Sequence, residues 1–156
     1  MTKKRMIIDV IFALQKAVWK MVRPQTRGVK VMLFNANDEL ALIRNAYGRS
    51  DLFVLPGGAI RPFEEPAHAA VREVNEELGL EITRLKLRSQ HSTSAEGKRD
   101  EIYLFEALVH GTPQLDKFEV EEVRFAPLED LPSATSPATR RRIEEYLGQR
   151  ALDGNW

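Results

Sequence analysis

The chemistry this sequence offers is concentrated in a few charged residues with fixed spacing. Glu64 precedes Arg72, Glu73, Glu76 and Glu77, and the last four lie in a stretch, PAHAAVREVNEEL, that reads as a helix from Pro66 to Leu78. Proline suits a first helical position and Gly79 suits the position just past the end. Ala67, Val71, Val74 and Leu78 recur at four-, three- and four-residue spacing and predict one apolar stripe facing a core. Glu73, Glu76 and Glu77 are then expected on the opposite face, stacked within a turn. Such stacking disfavours the helix by roughly 0.2–0.5 kcal/mol per like-charged pair. The last turn is also the negative end of the helix dipole. A hard divalent cation reverses the sign of both effects, because Mg²⁺ takes oxygen ligands from carboxylates, waters and substrate phosphates. A solvated acidic face is the alternative reading of the same three glutamates.

The surroundings of the helix narrow that choice. Pro56-Gly57-Gly58 predicts a chain reversal immediately before it. Gly58, Glu64 and the run Arg72-Glu73-Val74-Asn75-Glu76-Glu77-Leu78-Gly79-Leu80 match G-x5-E-x7-R-E-U-x-E-E-x-G-U, where U is a bulky aliphatic residue. This resembles the Nudix box at every defined position. Arg61 stands where many members have Glu, and Phe63 where many have Gly. The resemblance implies an α/β fold, an α/β/α sandwich with a mixed sheet, and a loop–helix–loop site that hydrolyses nucleoside diphosphates linked to another moiety. It implies Mg²⁺ as cofactor, with Mn²⁺ as a substitute. Glu76 and Glu77 are the first metal ligands it suggests, with the Gly57 carbonyl completing the set. Glu73 is a further ligand or the base. Arg72 is expected to hold Glu73 through a bidentate pair, which a lysine would do poorly. Glu64 is expected behind the ligands or as an additional metal carboxylate.

The family's general base often lies outside the box on a later acidic loop, and Glu119, ahead of Phe125, is the position that fits, with Glu122 second. A Pro-Leu-Glu-Asp-Leu-Pro segment at 127–132 resembles the end of such domains. Lys98 and Arg99, in a polar loop, either receive substrate phosphates or solvate the loop. About sixteen residues beyond the box, where some subfamilies carry Pro or Tyr as a substrate marker, this chain reads Ala95-Glu96-Gly97-Lys98. His68, His91 and His110 lack a Ser–His–Asp pattern and are read as structural or solvent-facing. A fold-retaining, catalytically silent nucleotide-binding module is the rival functional class, and loss of a box glutamate would favour it. None is lost here.

Composition sets the outer bounds. The 156 residues suffice for one domain with a real core. Lysine plus arginine balance aspartate plus glutamate at 23 each, so bulk electrostatic binding to nucleic acid is not expected. The absence of cysteine excludes disulfides and thiolate metal sites and fits a cytoplasmic setting.

The elements needed to position the box can be read in order. Strands are predicted at Val29–Phe34 and Leu40–Ile43 around an Asn/Asp-rich turn, with a short buried strand at Phe53–Leu55 leading into the glycines. Further strands are predicted at Leu85–Gln90 and Ile102–Val109. A final helix is predicted over Pro137–Gln149, with Ile143, Tyr146 and Leu147 inward and Arg140, Arg141 and Arg142 mostly in solvent. The Nudix-like domain is placed at 24–156, with residues 1–23 as an N-terminal amphipathic helical extension. Within it, residues 5–22 present an apolar surface wider than a normal amphipathic face. That surface fits packing on the domain or on a second subunit as a homodimer. Peripheral membrane contact with Trp19 as anchor is the less favoured reading. Deleting residues 5–22 should therefore lower oligomeric mass or solubility, as read by light scattering. It should leave metal-dependent activity per folded site intact; loss of that activity with unchanged mass would place the segment in the active site.

Overall fold

The computed structural model describes residues 25–48, 51–93 and 99–156. The extension expected over residues 1–23 and the substrate-binding position Lys98 lie outside the described residues. The elements run β1 (Gln25–Phe34), β2 (Leu40–Asn45), α1 (Pro66–Leu78), β3 (Ile82–Thr93), β4 (Arg99–Val109), β5 (Val120–Ala126) and α2 (Pro137–Tyr146). The strands form one mixed sheet in the order β3-β4-β1-β2-β5. β1 is parallel to β4, and the other neighbours are antiparallel.

The period-two alternation of a strand divides the core into two layers. Val29, Val31 and Leu33 pack with Ala41 and Ile43 against Ala69, Ala70, Val74 and Leu78 of α1. Met32 and Phe34 pack with Leu40, Leu42 and Leu104 against Ile143 of α2. Because both faces are covered, the central strand reads as an almost unbroken apolar run rather than an alternation. The result is the expected α/β/α sandwich with a mixed sheet.

β1 and β2 pair only next to their turn, at Phe34↔Leu40, and then splay apart. The segment 53–60 fills the gap. Val54 exchanges both backbone hydrogen bonds with Ile43 of β2 at 2.9 Å, whereas Pro56 and Gly58 accept from Val31 and Val29 of β1 at 2.9 Å. Phe53–Leu55, predicted as a strand, is therefore a wedge joined by isolated bridges. It brings the diglycine turn into the plane of the sheet.

Helix α1 has the predicted bounds, with Pro66 at its start and Gly79 at φ 62 closing it by donation to Asn75. Its buried face differs from the expected stripe. Val71 is exposed, whereas Glu73 and Glu77 are buried at 9% and 7% exposure; only Glu76 of the three lies in solvent. The stripe was read from apolar residues alone; Glu77 turns inward to the Gly57 N–H, and Glu73 is bonded by Arg72 in the space that Gly58 leaves.

Helix α2 also departs from expectation. It ends at Tyr146, and Leu147 is exposed. Arg142, expected in solvent, is completely buried and pairs at 2.8 Å with Glu145, itself 3% exposed. It donates to His91 Nδ1 at 2.8 Å and to the Asn155 carbonyl. Since arginine can only donate, Nδ1 accepts and Nε2 carries the proton toward Ser89 Oγ at 2.7 Å. Burial, and then the Arg142 charge, push the His91 pKa down and keep it neutral. The C-terminal residues follow the edge of β3, with Ser92 N–H donating to Gly154 at 2.8 Å, and so blunt an otherwise open strand edge. Among the described residues no helix is long and apolar enough to cross a membrane.

Removing one member of a buried ion pair leaves the other charge without compensation. Arg142→Ala should cost about 3 kcal/mol in urea unfolding, whereas Arg142→Met with Glu145→Leu should cost far less. Equal losses in the two variants would show that the ion pair is not what the site depends on.

Candidate active site

The wedge sets the site. Gly57 adopts φ 132, and a β-carbon there would lie 2.2 Å from the Val29 carbonyl oxygen, so only glycine lets the turn rest on β1. A β-carbon on Gly58 would lie 2.6 Å from Glu73 Oε2, so that glycine makes room for a carboxylate. With the Pro56 and Gly58 carbonyls committed to β1, the peptide groups of Gly57 are left to side chains. Its N–H donates to Glu77 Oε2 at 2.9 Å. Its carbonyl accepts from Lys30 Nζ at 3.3 Å, and the same ammonium donates to the Leu55 carbonyl at 2.9 Å.

Arg72 organises the carboxylates. Nε and Nη2 donate to the two oxygens of Glu64 at 2.7 and 2.9 Å, so the bidentate fork expected for Glu73 falls on Glu64 instead. Nη1 donates to Glu73 Oε1 at 2.6 Å and to Glu76 Oε2 at 2.9 Å, and Nη2 also reaches the Ala59 carbonyl at 2.9 Å. Glu64 additionally accepts the Arg61 backbone N–H at 2.8 Å, so it acts as a brace for Arg72 and the box loop. Its pKa is held down to about 2, first by the Arg72 hydrogen bonds and then by the Arg61 N–H. The Arg72 pKa is raised, chiefly by its hydrogen bonds to Glu64.

A cavity of about 330 Å³ opens beside this cluster. Gly57, Gly58 and Ala59 of the loop line it with Arg72, Glu73, Glu76 and Glu77 of α1, and Glu119 joins them from the segment entering β5. The Glu119 backbone is held by Ala46 N–H at 3.0 Å, just past the end of β2. Glu122 instead pairs with Arg44 and Arg124 at 2.9 Å and does not line the cavity. Arg99 lines a separate cavity with Gln90, Asp100 and Asn155 and is not brought to the box. Lys30, Asn45 and Tyr47 were missed by the sequence reading. Lys30 left a signal, a lone cation within the apolar run Val29–Phe34 of β1. Asn45 and Tyr47 left none, because they meet the cavity only through the fold.

The donors suit a hard cation: carboxylate oxygens with a backbone carbonyl and room for water. Among the described residues, no three acidic or histidine side chains already converge as a metal cluster. Their oxygens are turned instead to Arg61, Arg72 and the Gly57 N–H. The chemistry of the donor set nevertheless fits Mg²⁺, and the charge balance around Glu77 points the same way. Burial raises the Glu77 pKa to about 7 against the Gly57 hydrogen bond and Lys30, and the charges of Glu73 and Glu119 raise it further. Burial likewise lowers the Lys30 ammonium, against the pull of Glu77 and Glu73.

A mixed sheet between two helix layers, a glycine turn set into the sheet and an arginine-braced glutamate cluster define an α/β/α-sandwich protein with an acidic site beside the turn. The NUDIX domain family model matches residues 24–147, and the chain belongs to the Nudix family of pyrophosphate-bond hydrolases. The fold is similar to a MutT Nudix hydrolase from Burkholderia pseudomallei, at 25% identity and TM-score 0.68, covering 77% of this chain and 96% of that one. It is also similar to a MutT protein from Methanosarcina mazei Go1, at 23% identity and TM-score 0.69, covering 81% and 95%. A UDP-X diphosphatase aligns at 17% identity and TM-score 0.62, covering 87% and 72%. No curated protein matches the sequence significantly.

Glu77 makes the site a source of pH dependence. With its folded pKa raised from 4.5 to about 7, its contribution to stability is complete below the unfolded value and is lost as pH rises through about 7. The loss amounts to about 3 kcal/mol at about 1.4 kcal/mol per unit. Glu64, shifted the other way, changes its contribution only in acid below about 4.5, so the two windows separate. In chelator, the wild type should lose stability between about pH 5 and pH 8.5 by an amount that Glu77→Gln removes. Parallel pH profiles of melting temperature for the two proteins would contradict the assignment.

Proposed function

We propose that this protein hydrolyses a pyrophosphate bond in a nucleotide-like, nucleoside diphosphate-linked small molecule, dependent on Mg²⁺ or Mn²⁺ held by Glu76 and Glu77. Glu73 and the Gly57 carbonyl are the further donors to that cation. The observation that carries this reading is that Glu73, Glu76, Glu77 and Glu119 all line one cavity despite their mutual repulsion. A bound divalent cation supplies charge neutralisation for the diphosphate and a more acidic water. In the reaction, water attacks phosphorus, the P–O bond of the anhydride breaks, and the water's proton passes to a carboxylate. Glu119 is the proposed acceptor, because it reaches the cavity from outside α1 and has no arginine partner among the described residues. Glu73 is the second choice, held by Arg72 and seated against Gly58. Arg72 itself sets the orientation of Glu73 and Glu76 and keeps their repulsion from opening the helix end. Arg99 retains no proposed contact with phosphate at the box, and Lys98 stays an expectation from the sequence.

The name of the UDP-X diphosphatase, whose fold is similar, makes nucleotide sugars a sensible part of a substrate panel beside nucleoside triphosphates and dinucleotides. Phosphate release across that panel, with and without Mg²⁺, tests the reading directly. Glu77→Gln should lower turnover on the order of a hundredfold or more, since each ~1.4 kcal/mol is tenfold. Mg²⁺ should raise the wild-type melting temperature and raise that of a Glu76→Gln, Glu77→Gln protein far less. Wild-type kinetics in Glu77→Gln at saturating Mg²⁺ would sink the ligand assignment, and a folded protein inert across the panel would favour a silent binding module.

A further inference from the structure

Glu76 is held by two guanidinium groups of unequal attachment. Oε2 accepts from Arg72 at 2.9 Å, and Oε1 accepts from Arg61 at 3.0 Å. Arg72 is 16% exposed and bonded at the same time to Glu64, Glu73 and Ala59. Arg61 is 61% exposed, and Glu76 is the single side-chain partner of its guanidinium among the described residues. The Arg61 backbone, in contrast, is fixed: its N–H donates to Glu64 Oε2 at 2.8 Å, and its carbonyl accepts from Glu64 N–H at 3.1 Å. A cation that takes an oxygen of Glu76 competes, in charge and in space, with the arginine bonded to that oxygen. The five-bonded, shielded Arg72 would leave several carboxylates unpaired, whereas Arg61 loses one solvent-screened contact.

We propose that Arg61 is a movable counter-ion: it occupies Glu76 Oε1 until a divalent cation takes that oxygen, and then turns its guanidinium to the substrate's diphosphate. Its anchored backbone keeps the side chain at the wall of the same cavity, which Arg61 lines beside Ala59 and Glu73. A planar guanidinium suits two phosphate oxygens at once, which an ammonium does not. Arg61 thereby opposes the cation in the empty site and assists the anion in the loaded one, so cation and diphosphate binding become coupled through one side chain. This inference rests on the proposed function, because it takes Glu76 as a cation ligand and a diphosphate as substrate.

The test uses the full chain as wild type, Arg61→Gln and Arg61→Lys, with Glu76→Gln as a control. Mg²⁺ alone is titrated calorimetrically into substrate-free protein, and inorganic pyrophosphate is then titrated at saturating Mg²⁺. Arg61→Gln should bind Mg²⁺ about two- to fivefold more tightly, the size of an exposed ion pair, and pyrophosphate at least as many times more weakly. Arg61→Lys should recover the Mg²⁺ competition and only part of the pyrophosphate affinity. Unchanged or weaker Mg²⁺ binding in Arg61→Gln overturns the counter-ion role, and unchanged pyrophosphate binding overturns the transfer to substrate. If the wild type itself binds no Mg²⁺, or binds it equally in Glu76→Gln, the reading of Glu76 as a cation ligand fails first, and this proposal falls with it.

Discussion

The site depends on a gap in the sheet. Were β1 and β2 paired along their length, the segment from Phe53 to Ile60 would have no place between them, and the glycine turn would be an ordinary surface loop. Because they pair only at Phe34↔Leu40, the segment bonds to β2 through Val54 and to β1 through Pro56 and Gly58. Backbone hydrogen bonds on two sides fix a turn that would otherwise be mobile, and a fixed turn is what a cation or phosphate site needs. Gly57 is the one residue there whose own N–H and carbonyl face side chains, and those side chains are Glu77 and Lys30. The charge pattern of the site therefore begins with a strand pairing that stops early.

Around that turn, the electrostatics work as a closed arrangement rather than a list of pairs. Glu64, Glu73 and Glu76 converge on one guanidinium, and a single positive charge cannot neutralise three carboxylates. Arg61 supplies a second charge at the exposed rim, and Lys30 a third beneath the turn. The buried pairs cost desolvation and are weak evidence for stability. Their value lies in position: each of these carboxylates is held by at least one bond that offsets repulsion at the helix end. Such placement concentrates negative charge where a cation-dependent hydrolase would use it.

Much of this was legible in the sequence, and the boundary falls at recognisable places. The bounds of α1 followed from Pro66 and Gly79, and the box residues sit together as their spacing implied. The α/β/α sandwich was implied by the family resemblance that the box carries, while the apolar runs and turns placed individual strands. The direction of Glu73 and Glu77 was missed because helical periodicity was counted on apolar residues, whereas burial of a carboxylate depends on its surroundings, here the Gly57 N–H for Glu77 and Arg72 with the space beside Gly58 for Glu73. Arg142 was missed for the same reason: three successive arginines look like a solvated face until His91, Glu145 and the C-terminal backbone supply acceptors and a countercharge. The fork of Arg72 went to Glu64 rather than to Glu73 because the loop carboxylate approaches the guanidinium edge-on through Nε and Nη2, leaving Glu73 a single bond from Nη1. Local sequence fixes local geometry; long-range partners decide which polar groups turn inward.

The opposite shifts of Glu64 and Glu77 divide the carboxylates by role. Both belong to the same short motif, yet one is held at about 2 and the other is pushed to about 7. Glu64 has all its charge answered by Arg72 and the Arg61 N–H, so its anion is already in its most stable surroundings and has little to gain from a cation. Glu77 has one N–H and a lysine against burial and two neighbouring carboxylates, so its anion is under-compensated. An added positive charge in the cavity changes the second far more than the first. Pairs of acids whose environments push them apart are how one site separates a structural carboxylate from a reactive one. Glu64, by contrast, braces Arg72 and the box loop. Glu77 is the carboxylate whose ionisation responds most to a positive charge placed in the cavity.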